Sequence, residues 1–144
     1  MHAVRSIRID APAAQVFGYL TEVGRHPEWA GNPLTICLTS SEPLRVGSTW
    51  ESTGRRLGTH LDRVTVVELD PERRFAYEAE GDAGHWRSTF TLRADGDATV
   101  LHREMRSLRL TWFTRALAPM ILLTNGFELA GNLRKIKSCV EKRP

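Results

Sequence analysis

His102 and Glu104 stand two positions apart in the segment ATVLHREMRSL, and in an extended chain that spacing puts both side chains on one face. An imidazole and a carboxyl group held side by side can share a proton or a polar group of a ligand. Burial raises the pKa of a carboxyl and lowers that of an imidazole, so an enclosed pair would serve as acid and base near neutral pH. The competing arrangement is a structural ion pair with Arg103 or Arg106, or simple exposure. The segment leaves the choice open. One face carries Val100, His102, Glu104 and Arg106, and the other carries Thr99, Leu101, Arg103 and Met105. Counting apolar residues favours Leu101 and Met105 inward, and a one-residue bulge would reverse either choice.

Other catalytic constellations are absent from the sequence. There is no G-x-S-x-G elbow, no Walker loop, no G-x-G-x-x-G and no H-E-x-x-H. His2, His26, His60, His85 and His102 show no metal-ligand spacing, so neither a metal nor a cofactor is expected. Cys37 and Cys139 lie far apart and read as free, buried thiols of a reducing, cytoplasmic setting.

The aromatic residues offer walls rather than reactive groups. Phe75, Tyr77 and Ala79 share one face of an alternating segment, and Trp86, Ser88, Phe90 and Leu92 share one face of the next. If these faces line a cavity, Trp50 joins them from a neighbouring strand; the alternative is ordinary core. Tryptophans stand at 29, 50, 86 and 112, and because a buried indole N–H needs a partner, some should sit where apolar interior meets a wetter space.

The elements that would position these residues follow from periodicity. Ala3, Arg5, Ile7 and Ile9 alternate with Val4, Ser6 and Arg8, which predicts a strand over 2–9. Pro12 ends it and opens a short helix whose stripe is Ala13, Val16, Phe17 and Leu20, with Asp10 placed to cap it. Gly24 and Pro27 leave room for only a turn or two around His26 to Ala30. From 34 to 109 all is strand and turn, with strands near 35–39, 48–55 and 59–69, a fourth that includes 74–80, and others near 85–93 and 98–108, Gly58 opening the third of these and ADGD marking a hairpin. After Trp112 the period changes. Leu122, Leu129, Leu133, Ile136 and Val140 predict one long amphipathic helix over about 115–141, with Pro119 near its start, and Gly126 and Gly131 fitting close packing or a movable lid.

Length and composition set the bounds. A chain of 144 residues is one domain, and at that size folding buries ~70% of the unfolded surface. With 41% hydrophobic and 26% charged residues, disorder is excluded as a description of the whole. The net charge of +3 comes from scattered Arg and Lys with no basic groove motif, so no nucleic-acid partner is expected. The N-terminus carries charge too early for a signal peptide. The longest apolar run, LAPMILL, is far short of the ~20 residues that span a membrane. Stable membrane insertion is not expected; the run must bury its apolar face in protein, in a ligand or at a membrane surface. A homodimer is left open.

The order of these segments, with IDAPAAQVFGYLTEVGRHPEW, LRVGSTW, VTVVELDPERRFAYEAE, ADGDATV and the helix ending LRKIKSCVEK, resembles the helix-grip fold of the START-like (SRPBCC) superfamily, in its polyketide cyclase/dehydrase-type branch. The resemblance runs from Val4 to Lys142. It implies an α+β fold in which a curved antiparallel sheet of about seven strands wraps a long C-terminal helix, with two short helices after strand 1. A cavity between sheet and helix would hold an apolar or amphipathic small molecule. The ADGDATV match implies that Val100, and with it His102 and Glu104, faces that cavity. The match of LAPMILLTNGF to the segment over the cavity mouth implies Met120, Leu123 and Phe127 as adaptable contacts and Asn125 as a polar one. Trp29 either borders the cavity or wedges between helix and sheet.

Three functions follow as expectations. The first is binding of a small hydrophobic or aromatic molecule. The second is a cofactor-free cyclase or dehydratase in which His102 or Glu104 moves a proton. The third is a protein-interaction module whose cavity is filled by side chains. Fold alone does not choose among them.

Overall fold

Alternation becomes strand wherever the sequence predicts it. In the computed structural model, which describes residues 2–31, 33–40, 43–55, 59–81, 84–110 and 112–142, strand β1 (His2–Ile9) leads into helix α1 (Ala13–Thr21) and a 3₁₀ turn (Val23–Glu28). Strands β2 (Leu34–Leu38), β3 (Thr49–Arg55), β4 (Thr59–Asp70), β5 (Arg74–Gly81), β6 (Gly84–Asp95) and β7 (Ala98–Leu110) follow. The chain ends in helices α2 (Trp112–Ala116) and α3 (Ala118–Glu141). The side chains at 110, 113, 114, 121, 122 and 125 lie outside the described set, and with them the expectations for Leu122 and Asn125; Gly58, expected to open a strand, lies outside it altogether.

All seven strands form one antiparallel sheet in the order β1-β7-β6-β5-β4-β3-β2. The β6–β7 hairpin turns on Gly96 and Asp97 alone, with Asp95 opposite Ala98. Gly96 has φ of +61°, the left-handed value that the first central residue of such a turn requires and glycine takes without strain. That short turn sets Leu92 opposite Leu101, Phe90 opposite Arg103 and Ser88 opposite Met105. The register shifts once more, between His85 and Trp86, beyond these pairs.

Helix α1 begins at Pro12, whose carbonyl accepts from the Gln15 and Val16 amides at 3.0 and 3.2 Å. Asp10 does not cap it: no side chain does, and the Asp10 amide instead donates to Glu141 Oε2 at 2.7 Å, tying the first strand to the last turn of α3. Val16, Tyr19 and Leu20 are buried. The C-terminal helix is broken where one continuous helix was expected. Leu117 leaves helical geometry between α2 and α3, and the cause is Pro119, which has no amide to donate back to the preceding turn and is tolerated only in the first turn of a helix, where it stands in α3. Leu129, Leu133, Ile136 and Val140 then turn one fully buried stripe onto the sheet, with most of the contact on β1.

The two faces of the sheet differ in chemistry. The inner face carries Ile9, Trp50, Val64, Val66, Phe75, Phe90, Leu92 and Leu101 into one core. The outer face carries a ladder of charges. Glu68 pairs with Arg74 at 2.8 Å and Arg87 at 3.5 Å, Glu78 with His85 at 2.9 Å, and Glu80 with Arg109 at 3.4 Å.

Candidate functional site: the inner face of the sheet

His102 and Glu104 do not face the interior, which corrects the orientation expected for them. Cross-strand partners share a face, and β7 is held by its hairpin so that Leu101 and Arg103 meet the inward Leu92 and Phe90. Leu101 is fully buried, and Thr99 donates to the Ala11 carbonyl at 2.8 Å in the core. The opposite face of β7 therefore looks outward. There His102 Nδ1 lies 2.7 Å from Ser6 Oγ, and Glu104 meets His2 at 3.1 Å and Arg106 at 3.2 Å. The hydrogen bond from His2, aided by the charge of Arg106, holds the Glu104 carboxyl below its ordinary range, against the smaller opposing effect of burial. This is the opposite of a general acid's tuning, and it matches the ion-pair alternative, with Arg106 rather than Arg103 as the partner.

The inner face has two halves. In the closed half, the 3₁₀ turn folds over the middle strands and seals an aromatic cluster. Trp29 lies edge-on to Phe90 at 6.0 Å between centroids, Phe75 stacks on Phe90 at 6.2 Å, and Trp50 meets Tyr77 edge-on at 5.4 Å. Trp29, Trp50, Phe75 and Phe90 are all buried. Trp29 is thus a wedge between the turn and the sheet.

His26 sits at the centre of this cluster, 4.9 Å from Trp29, 5.7 Å from Trp50 and 5.9 Å from Tyr77. Its Nε2–H donates to the Leu20 carbonyl at 3.0 Å. Desolvation pushes its pKa down to about 4, the Leu20 hydrogen bond opposes that and nearby Arg103 adds to it, so the ring is neutral. Nearby, Tyr19 donates to Glu28 at 3.0 Å, and burial raises its phenol above the ordinary range.

Arg103 is the least expected member. Its side chain is only 4% exposed. Nε donates to Ser88 Oγ at 3.1 Å, and the guanidinium lies 5.1 Å over the Trp29 ring and 4.9 Å over the Phe90 ring. Its Nη1 and the Trp29 indole nitrogen are buried without a hydrogen-bond partner. The sequence held part of the clue, the ADGD turn; the pairing confines that turn to Gly96 and Asp97 and so places Arg103 opposite Phe90. His26 carried no such signal, since only the packing of the turn shows it to be enclosed.

In the other half the interior is open. Tyr77, Ala79, Trp86, Met105 and Ser107 stand on the inner face and are only partly buried. In the first half of α3, Met120, Leu123 and Phe127 are 60%, 67% and 73% exposed, preceded by Trp112 at 81%. Ser88, at the boundary between the halves, is buried. Gly126 lies against the Arg5 side chain of β1: a side chain there would begin 2.6 Å from Arg5 Nη2, an overlap that the flexible arginine can relieve by moving. Cys37 is exposed and Cys139 partly buried, both free; the expectation of burial fails for Cys37 because β2 is an edge strand and turns it outward.

A family model described as "Polyketide cyclase / dehydrase and lipid transport" matches residues 1–138. Among solved structures, a START superfamily protein from Mycobacterium smegmatis aligns with a TM-score of 0.80 at 12% identity, over 98% of this chain and 97% of that one. TTHA0849 from Thermus thermophilus aligns with a TM-score of 0.77 at 16% identity, over 97% of each chain. CalU16 from Micromonospora echinospora aligns with a TM-score of 0.63 at 17% identity, over 98% of this chain and 76% of that one. At such identities the likeness is one of fold. No curated protein matches the chain by sequence. Among the described residues no helix is long and apolar enough to cross a membrane.

Proposed function

Because the chain belongs to the polyketide cyclase/dehydrase and lipid transport family, we propose that it binds a small hydrophobic or aromatic molecule between the sheet and the C-terminal helix. The observation that carries this reading is the apolar lip of the open half. Met120, Leu123 and Phe127 recur at helical spacing and so form one stripe, turned to solvent and about 100° around the helix from the buried Gly126. Single exposed apolar residues are ordinary, but a stripe of them in a chain whose inner sheet face is only partly covered marks a place where something apolar is covered in use. Tyr77, Trp86 and Met105 supply the wall, and Ser88 the polar edge. Trp50 and Phe90 stand behind that wall as its support.

The test is direct. Native mass spectrometry of gently purified protein should retain a bound small molecule, or tryptophan fluorescence should shift when apolar probes are added. Silence in both assays would overturn the reading.

The packed closed half favours a narrower version of the interaction-module alternative, in which side chains fill part of the interior. The cyclase or dehydratase alternative keeps the support of the family description but draws none from His102 and Glu104, which stand across the sheet from any interior ligand.

A further inference from the structure

At the boundary between the halves, where the closed cluster meets Ser88, stands a charge without a carboxylate partner among the described residues. Arg103 is buried, and among the described residues no carboxylate pairs with it; its only hydrogen bond is to the neutral Ser88. A buried cation left in this state is expensive, because aromatic faces replace only part of the hydration that it loses. Directly across the β1–β7 pairing stands Arg5, a second arginine on the same inner face. Like charges facing each other in neighbouring strands repel. Among the described residues Arg5 has no carboxylate partner either; its Nη1 donates to the Val4 carbonyl at 2.7 Å and its Nη2 lies under Gly126 of α3. A second buried donor without a partner among the described residues, the Trp29 indole N–H, belongs to the ring over which the Arg103 guanidinium lies.

We propose that Arg103 is an anion-recognition residue, and that the ligand is an apolar molecule ending in a carboxylate, its oxygens taken by Arg103 Nη1 and its charge further balanced by Arg5. The inference rests on the small-molecule reading above and names its ligand class. A carboxylate fits better than a neutral oxygen. A guanidinium presents donors in a planar fork that matches two carboxylate oxygens, and an anion removes the repulsion between the two arginines as well as satisfying a donor. The apolar body would then lie outward, along Tyr77, Trp86 and Met105 toward the lip at Leu123 and Phe127. Without ligand, the stacking of Arg103 on Trp29 and Phe90 keeps the fork in place.

Isothermal titration of the intact chain with matched probes separates the possibilities. Dodecanoate should bind roughly tenfold to a hundredfold tighter than dodecanol, and naphthoate tighter than naphthylmethanol, as charged hydrogen bonds demand. Arg103→Met should abolish the preference by weakening the carboxylates while leaving the alcohols bound. Arg5→Met, at an exposed side chain that the fold does not need, should reduce the preference severalfold and serves if Arg103→Met does not fold. Equal binding of acid and alcohol to the unaltered protein would overturn the anion inference and leave the binding reading standing. Binding of neither class would defeat both.

Discussion

The two halves of the interior use the same kinds of residue for opposite ends. In the closed half, Trp29, Trp50, Phe75 and Phe90 pack ring against ring under the 3₁₀ turn and exclude water. In the open half, Tyr77 and Trp86 are only partly buried, Tyr77 with one side still against the cluster, and Met120, Leu123 and Phe127 are exposed. Apolar composition therefore does not distinguish core from candidate binding wall in this fold. What distinguishes them is whether another element arrives to cover the face. Val16, Leu20, Val23 and His26 cover one end, whereas toward the other end Tyr77, Ala79, Trp86 and Met105 stay only partly covered.

The sharpest test of this contrast is truncation on each side of it. Trp50→Ala or Phe90→Ala should destabilise the fold by about 3–5 kcal/mol, read from urea midpoints, because each leaves a cavity in a packed cluster. If either costs less than about 1 kcal/mol, the closed half is not close-packed and the distinction collapses.

Acidification attacks the closed half through His26. Its folded pKa of about 4 lies below the ordinary 6.5, so the unfolded chain takes up a proton that the native cluster refuses. Stability should be full above pH 6.5 and fall as the pH drops toward about 4, by a total on the order of 3 kcal/mol. Urea midpoints measured between pH 7 and pH 4.5 give the slope, and His26→Gln should flatten it in that window. A level profile in the native chain would show that His26 is not enclosed.

On the open side, Phe127→Ala should change stability by no more than about 0.5 kcal/mol, as at other exposed positions. The same change should weaken the binding of an apolar fluorescent probe severalfold. A large loss of stability would place Phe127 in the core and remove the lip from the proposed site. The smallest effect belongs to the outer face. Glu104→Gln breaks an exposed pair with His2 and Arg106 and should cost no more than about 1 kcal/mol. Together with His102→Ala it should leave probe binding untouched, and a loss of binding in that double variant would restore the inward orientation that the hairpin register excludes.

Much of the architecture was legible because it depends on neighbours along the chain. The alternation in RRFAYEAE and HWRSTFTLR reappears as β5 and β6 with the expected faces inward, and the spacing of Leu129, Leu133, Ile136 and Val140 reappears as the buried stripe of α3. The candidate site was less legible. Strand β7 carries mixed residues on both faces, so its orientation rests on pairing with β6 and not on its own pattern. In the sequence Arg103 is one of two possible ion-pair partners for Glu104, on a strand whose inward face is left open. Only its position opposite Phe90 and beneath Trp29 shows it to be enclosed.

By itself, then, the sequence determined which segments are strand and helix, their order, and the family likeness that this order carries. Local periodicity and turn residues are enough for that, because they act over a few positions of chain. The tertiary structure alone decided that His102 and Glu104 look outward, that Arg103 looks inward with no carboxylate partner among the described residues, and that half of the aromatic face is sealed while half is only partly covered. Those outcomes depend on residues far apart in sequence meeting across strands and under helices, and burial and pairing, unlike periodicity, are properties that no single segment possesses.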